Sequence, residues 1–380
     1  MLGAYPLQKD VVVGGVEAVV SVLASALAAS PHIEHLTVLD FRLGLKSAKA
    51  QIISDKLTSC HYPAQTKLAL PTRAWLDYQT ARAFCKDYKP DIVHGQGIGY
   101  TGDIAIRLNP AAVVSVHGLI QVEARLRFSN SLLNRWRILL MERMAARVLN
   151  ATRVTISTSA YDFHAVKGWV KGWHSLIFNP VDESFFKTNW MGVASQQILY
   201  AGTMSRRKNV MGLVRAFAEV HQQMPGAHLL LVGPIVDETY HQEVRAEAAR
   251  LNLQTVVDFR GALEHAALVK TLEESRCLVL FSNEETSPTI IAQAITVGLP
   301  VVATRVGGIP ELVEDGRGGF LVNAGDTSTL AQKIIAILRS EEMTRVMGAH
   351  NRSAAVNRCR PDKVAEQTIE AYRVALAEKP

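Results

Sequence analysis

The chain has 380 residues, 48% hydrophobic and 20% charged, which excludes a disordered chain and exceeds one ordinary core, so two domains are expected. A net charge of +6 is modest for that size: it fits anionic ligands or a lipid surface and argues little for nucleic acid. Four scattered cysteines, Cys60, Cys85, Cys277 and Cys359, lack C-x-x-C spacing, which argues against a zinc site and fits a reducing compartment. No apolar run reaches membrane-spanning length, and MLGAYPLQKD lacks signal-peptide architecture. A cytoplasmic protein, at most at the inner face of a membrane, is the expectation.

Gly14-Gly15-Val16-Glu17 opens an amphipathic helical pattern over Gly14 to Ala29. Two glycines let a backbone come close to a ligand, and the helix N-terminus behind them favours an anion; an ordinary tight turn uses the same pair. A strand is expected at Ile33 to Leu39, while Phe41 to Leu70 has no clear periodicity and reads as loops. A helix over Ala74 to Tyr88 leads to a short strand over Asp91 to His94, and an apolar strand runs from Ala112 to His117. His94 and His117 thus stand at strand ends, where a histidine either meets ligand or satisfies loop carbonyls. Leu132 to Leu149 reads as a long helix, Arg153 to Ser157 as a strand and Ser159 to Lys167 as a helix. The stretch from Glu123 to Arg153 carries Arg125, Arg127, Arg135, Arg137, Arg143 and Arg147, with Leu133, Trp136, Leu140 and Met141 between them. That pattern fits an interfacial helix on anionic lipid, and equally a basic solvated face over a core-facing stripe.

The second half repeats the alternation. Strands are expected at Gln197 to Ala201, His228 to Val232, Val256 to Phe259, Cys277 to Phe281, Pro300 to Thr304 and Gly319 to Val322. Helices are expected over Val210 to Gln223, Glu238 to Leu251, Glu264 to Glu273, Pro288 to Val297, Ser328 to Arg339, Met343 to Arg352 and Asp362 to Ala377. Strands alternating with helices imply an α/β fold of doubly wound parallel sheets. Directly after the first of these strands come Gly202, Thr203, Arg206, Arg207 and Lys208. Three consecutive cations are often a solvated run, but between strand and helix, after a glycine turn, they suit a phosphate. Gly233-Pro234 and Arg260-Gly261 end the next two strands and read as sharp turns. Ser282 to Glu311 then forms a strand–turn–helix–strand unit in which Ser287 reads as N-cap and Pro288 as the first helical residue, with Thr289 behind it. Its helix N-terminus suits an anion, and Glu285, repelled by phosphate, suits a hydroxyl-rich neutral group. An anion beside a polyol is what a nucleotide sugar presents.

This stretch resembles the signature of the family 4 glycosyltransferases, retaining enzymes of the GT-B fold: Glu285, then Gly298, Pro300-Val301-Val302-Ala303-Thr304, Gly307-Gly308 and Pro310-Glu311. The resemblance covers nearly the whole chain. It implies two Rossmann-like domains with a ligand cleft between them: residues 1–178 on the acceptor side and 179–360 binding the nucleotide sugar. A helix over 361–380 would return to the first domain. It further implies that His117 touches the transferred sugar, that Gly14 and Gly15 lie against the diphosphate or acceptor, and that His94 is acceptor-side or structural. The turns at Gly233 and Gly261 would surround nucleobase and ribose. Lys208 matches the family's phosphate lysine, Thr203 replaces its arginine, and Arg206 is expected to supply that charge. Gln293 stands where the family has a second Glu on the ribose; it keeps the acceptor oxygen and loses charge-assisted strength, about 1–2 kcal/mol.

No Asp-x-Asp occurs in the chain, so the expectation is metal-independent, retaining transfer with no cofactor beyond the nucleotide-sugar co-substrate. A UDP-sugar is preferred over GDP-mannose as donor; the acceptor is a carbohydrate, lipid-linked or small molecule, with peripheral membrane contact as an accompanying expectation. A nucleotide-sugar 2-epimerase of the same fold and a degenerate, non-transferring nucleotide binder remain as alternatives, the latter because of Thr203 and Gln293.

Overall fold

The computed structural model describes residues 1–8, 14–64, 70–119, 122, 132–188, 190 and 194–377. The chain forms two compact units, one built from Gly14–Pro180 with the N-terminal residues and the segment from Pro361, the other from Val181–Arg360.

In the first unit, α1 (Gly15–Ala29) precedes β1 (Leu36–Leu43), β2 (Lys49–Ser54) and β3 (Leu57–Ala64). Then follow α2 (Leu70–Tyr88), β4 (His94–Gln96), α3 (Tyr100–Leu108), β5 (Val113–Val116), α4 (Leu132–Ala151), β6 (Val154–Ser157), α5 (Ala160–Val166) and β7 (Trp173–Leu176). Strand orders are β1-β3-β2 and β4-β5-β6-β7. The N-terminus bridges them: the Leu2 amide donates to His94 O at 2.8 Å and the Gly3 amide to Leu39 O at 3.1 Å. The chain leaves this terminal strand towards β1 on one side and later enters β4 on the other. The crevice beyond the carboxyl ends at such a reversal is where open α/β sheets bind ligands.

The expectation of loops over Phe41 to Leu70 is corrected by this sheet: β1 runs on to Leu43, and β2 pairs antiparallel with β3. Residues 65–69 lie outside the described residues. The cause is visible side by side. In β3 the inward positions include Ser59 and His61, both fully buried, so burial alternates while hydropathy does not. β2 is an edge strand exposed along nearly its whole length and has no face to pattern. β4 lies three residues later than expected, β7 is a half-exposed edge strand, and α3 was not anticipated.

The second unit contains α6 (Glu183–Phe186), β8 (Gln197–Ala201), α7 (Val210–Gln223), β9 (His228–Val232), α8 (Glu238–Arg250), β10 (Val257–Gly261) and α9 (His265–Glu274). It continues through β11 (Cys277–Leu280), α10 (Thr289–Val297), β12 (Val301–Thr304), α11 (Ile309–Leu312), β13 (Gly319–Val322), α12 (Thr327–Arg339) and α13 (Glu341–Arg358). Its six-stranded parallel sheet has the order β10-β9-β8-β11-β12-β13. Buried on both faces, β11 and β12 read as unbroken apolar runs, which is why the sequence located them well. The sheet reverses direction between β8 and β11, so the loops after those two strands share the switch point.

The last helix, α14 (Pro361–Leu376), belongs to the first unit. Its Val364, Ala365, Ile369 and Tyr372 join Val20, Leu23 and Leu27 of α1 in one core. Among the described residues no helix is long and apolar enough to cross a membrane.

Candidate active site

In the second unit, β8 ends at Ala201 and the chain turns through a 3₁₀ segment, Arg206–Lys208, into α7. Asn209, at φ 48°, starts that helix by accepting from the Gly212 amide at 3.2 Å. The loop after β11 is tied to this turn: the Asn283 amide donates to Arg207 O at 2.8 Å, and Asn283 Nδ2 donates to Arg206 O at 3.2 Å. From the other side, the turn after β12 presses on Glu285. Gly307 has φ +53°, and a Cβ there would lie 1.5 Å from Glu285 O, so only glycine fits.

These restraints fix Glu285, whose side chain is buried. Its Oε1 accepts from Lys208 Nζ, itself buried, and its Oε2 lies 3.4 Å from Arg207 Nη1. Arg207 also donates to Glu284 O at 2.8 Å. Burial pushes the Glu285 carboxyl up, but Lys208 and then Arg207 outweigh it and hold the group below its ordinary range. Below lies Tyr200, its hydroxyl donating to Thr203 O at 2.8 Å.

Arg206 is not part of this cluster. Its guanidinium pairs with Glu243 at 2.7 Å and lies 5.0 Å over the Tyr240 ring of α8. Besides Lys208, the cation on Glu285 is Arg207, and the structure does not bring the expected Arg206 into this cluster. A 3₁₀ segment turns about 120° per residue, and here it sends Arg206 towards α8, while the side chains of Arg207 and Lys208 both reach Glu285.

α10 starts one residue later than expected: Pro288, extended at ψ 112°, is its N-cap, and no side chain caps the helix. Ser287 therefore precedes the cap and Thr289 is the first helical residue, leaving first-turn amides to an anion or water. Gln293 is half-buried on this helix, among buried Ile291, Ala292 and Ala294.

In the first unit, Gly14 is the N-cap of α1, extended at φ −160°, and an added Cβ would meet nothing within 4 Å. The fold itself does not require glycine there. Glu17 faces inward and pairs with Arg42 at 2.5 Å; Arg42 also meets Asp40 at 3.0 Å, which reaches buried His61 at 3.1 Å. Glu17 thereby pins the start of α1 to β1. His117 follows β5, with Nε2 2.5 Å from Gln96 Oε1, and burial lowers its pKa to about 4. His94 is fully enclosed, bonded to Tyr372 and Ser115 at 2.8 Å each, a structural place.

Sequence reasoning missed Gln96 as well as Arg207. Its signal was the spacing from His94: residues two apart on a strand face the same way.

A family model described as glycosyl transferases group 1 matches residues 195–340, and one described as glycosyltransferase family 4 matches residues 13–185. The N-acetyl-alpha-D-glucosaminyl L-malate synthase of Bacillus anthracis is 29% identical over 205 residues, 52% of this chain and 52% of that protein. The chain spans about half the length of the curated relatives it matches. Among solved structures, sucrose-phosphate synthase from Thermosynechococcus elongatus superposes with a TM-score of 0.84 at 22% identity, over 98% of each chain. HepE of Anabaena in complex with UDP and glucose superposes at 0.74 with 20% identity, over 98% of this chain and 99% of that one. The shared fold is GT-B, with two Rossmann-like domains.

Proposed function

We propose, from the premise that this chain belongs to the group 1, family 4 glycosyltransferases, that it moves a sugar from a nucleotide-sugar donor to an acceptor hydroxyl. The observation that carries the reading is the Glu285 carboxylate, buried and held by Lys208 and Arg207 at the switch point of a parallel sheet. A carboxylate so held accepts hydrogen bonds from sugar hydroxyls, and the cations beside it meet departing phosphate charge. The open N-terminus of α10 adds partial positive charge for the same anion. With phosphate charge met in this way, we hold the transfer to be metal-independent. Activity abolished by EDTA and restored by magnesium would refute that.

Glu285 is a poor nucleophile, because two cations already share its oxygens. That supports retention by attack on the leaving-group face: the acceptor oxygen bonds to the anomeric carbon, the carbon–phosphate oxygen bond breaks, and the departing phosphate takes the acceptor's proton. HepE, which shares the fold, binds UDP and glucose, and this supports a UDP-sugar ahead of GDP-mannose. The test is a thermal-shift panel of UDP, GDP, ADP and dTDP sugars, since a ligand stabilises the state it binds. UDP-sugars should raise Tm most in the wild type and little in Lys208→Ala. Equal shifts in both proteins would sink the assignment.

A lipid-linked acceptor has its own support in α4. Trp136 and Leu140 are 61% and 60% exposed, and they share one helix line with Arg143 and Arg147, flanked by exposed Arg135 and Arg137. Apolar side chains set among cations suit an anionic lipid surface. Arg125 and Arg127, counted in the same stretch from sequence, lie outside the described residues. Trp136→Ala combined with Leu140→Ser should reduce co-sedimentation with phosphatidylglycerol vesicles while leaving Tm unchanged; undiminished binding would count against the surface.

A further inference from the structure

No sequence motif singles out Gln96, yet it touches both strand-end histidines of the first unit. Its side chain is buried. Gln96 Oε1 lies 2.5 Å from His117 Nε2, and Gln96 Nε2 lies 3.2 Å from His94 Nε2. His94 Nδ1 lies 2.8 Å from the Tyr372 hydroxyl of α14, and its Nε2 2.8 Å from Ser115 Oγ. The amide turns its oxygen towards His117 and its nitrogen towards His94.

The protons follow from that orientation. With the amide oxygen facing it, His117 donates through Nε2–H to Gln96. Burial keeps both rings neutral, with the Met1 amine and His117 adding to the effect on His94. A neutral imidazole protonated at Nε2 has a bare Nδ1, which can only accept.

We infer that Gln96 is a positioning residue that fixes His117 in the Nε2–H tautomer, so that His117 Nδ1 reads a sugar hydroxyl as a hydrogen-bond donor. The inference rests on the sugar-transfer reading above. It assigns specificity to a residue outside the family motif: a sugar must bring a hydroxyl to this nitrogen, and a deoxy or fluoro sugar at that carbon loses the contact. Among the described residues, the groups facing the pair are His94 on β4 and Ser115 on β5, with the Met1 amine and Tyr372 behind them. None of these is a carboxylate, so a carboxylate placed at position 96 would be the one acidic group in this described set.

The test reads the tautomer directly. Long-range proton–nitrogen NMR of ring-labelled protein, assigned with His117→Ala, should show one bare and one protonated nitrogen, the proton on Nε2. Gln96→Leu should release the second tautomer and lower kcat/KM about tenfold, the worth of one hydrogen bond. Gln96→Glu, nearly isosteric, should stabilise the imidazolium. Its ring should be doubly protonated near neutral pH, and its activity should fall below pH 7 and recover at higher pH, where the wild type is flat. A purely structural role would lower Tm without moving that profile. An Nδ1–H tautomer in the wild type, or a tautomer and pH profile unchanged in both variants, overturns the inference. Full turnover by His117→Ala would overturn the sugar contact inferred here, while the NMR arm still reports on Gln96.

Discussion

At the scale of single residues, the proposed chemistry turns on which charges face Glu285. Arg207→Ala removes a cation from a buried carboxylate, and we expect transfer to fall about tenfold to a hundredfold, as for a lost charge-assisted bond. Arg206→Ala cuts an exposed pair with Glu243 and the contact with the Tyr240 ring, neither of which involves Glu285, and should leave transfer within about twofold. Equal losses in the two variants would show that the run acts as one patch. The places of Glu285 and Lys208, in the loops after β11 and β8, were legible in the sequence because strand ends and a glycine turn marked them. The choice between Arg206 and Arg207 was not, because a run of cations does not state which way a 3₁₀ turn aims each one. Gln293 makes a separate prediction. Restoring a carboxylate with Gln293→Glu should tighten nucleotide binding by about tenfold, measured by calorimetry; unchanged or weaker binding means the residue does not reach the ribose.

At the scale of elements, the glycine after β12 does more than turn the chain. Gly307→Ala would set a methyl group 1.5 Å from Glu285 O at φ +53°, so the loop must shift. The expected loss is more than about 2 kcal/mol of stability, left-handed strain included, together with donor binding. Gly316→Ala shares the positive φ, at +79°, and meets nothing within 4 Å; it should cost only about 1–2 kcal/mol and keep binding intact. Urea denaturation of the two variants separates strain from displacement of the site. Legibility also had a physical limit at this scale. Strands buried on both faces announced themselves, whereas β2 exposes both faces and β3 buries Ser59 and His61. Hydropathy reports burial only where the buried residues are apolar.

At the scale of the molecule, the two units differ in their response to acid. The first holds three histidines with depressed pKa values: His94 well below the ordinary range, His117 at about 4 and His174 at about 4, all through burial. The unfolded chain binds protons at these sites near pH 6.5 while the folded chain does not. Their contribution is therefore fully present above that pH and is lost as pH falls towards 4. For His117 alone the loss at pH 5 reaches up to about 2 kcal/mol. Asp162 of the same unit, pushed up to about 6 by burial, takes up a proton in the folded state and offsets part of this loss. The three histidines outweigh it, so hydrogen exchange at pH 5 should show the first unit opening before the second, and a single concerted opening would contradict this. The helix α14 carries a consequence of another kind. It completes the core around Val20, Leu23 and Leu27, yet a ribosome delivers it only after all of Val181–Arg360. The unit begun first is thus the unit finished last, and Tyr372 cannot meet His94 until that late segment has emerged. A nascent chain would carry an uncovered apolar seam through most of its synthesis, and this seam is where a chaperone would be expected to bind.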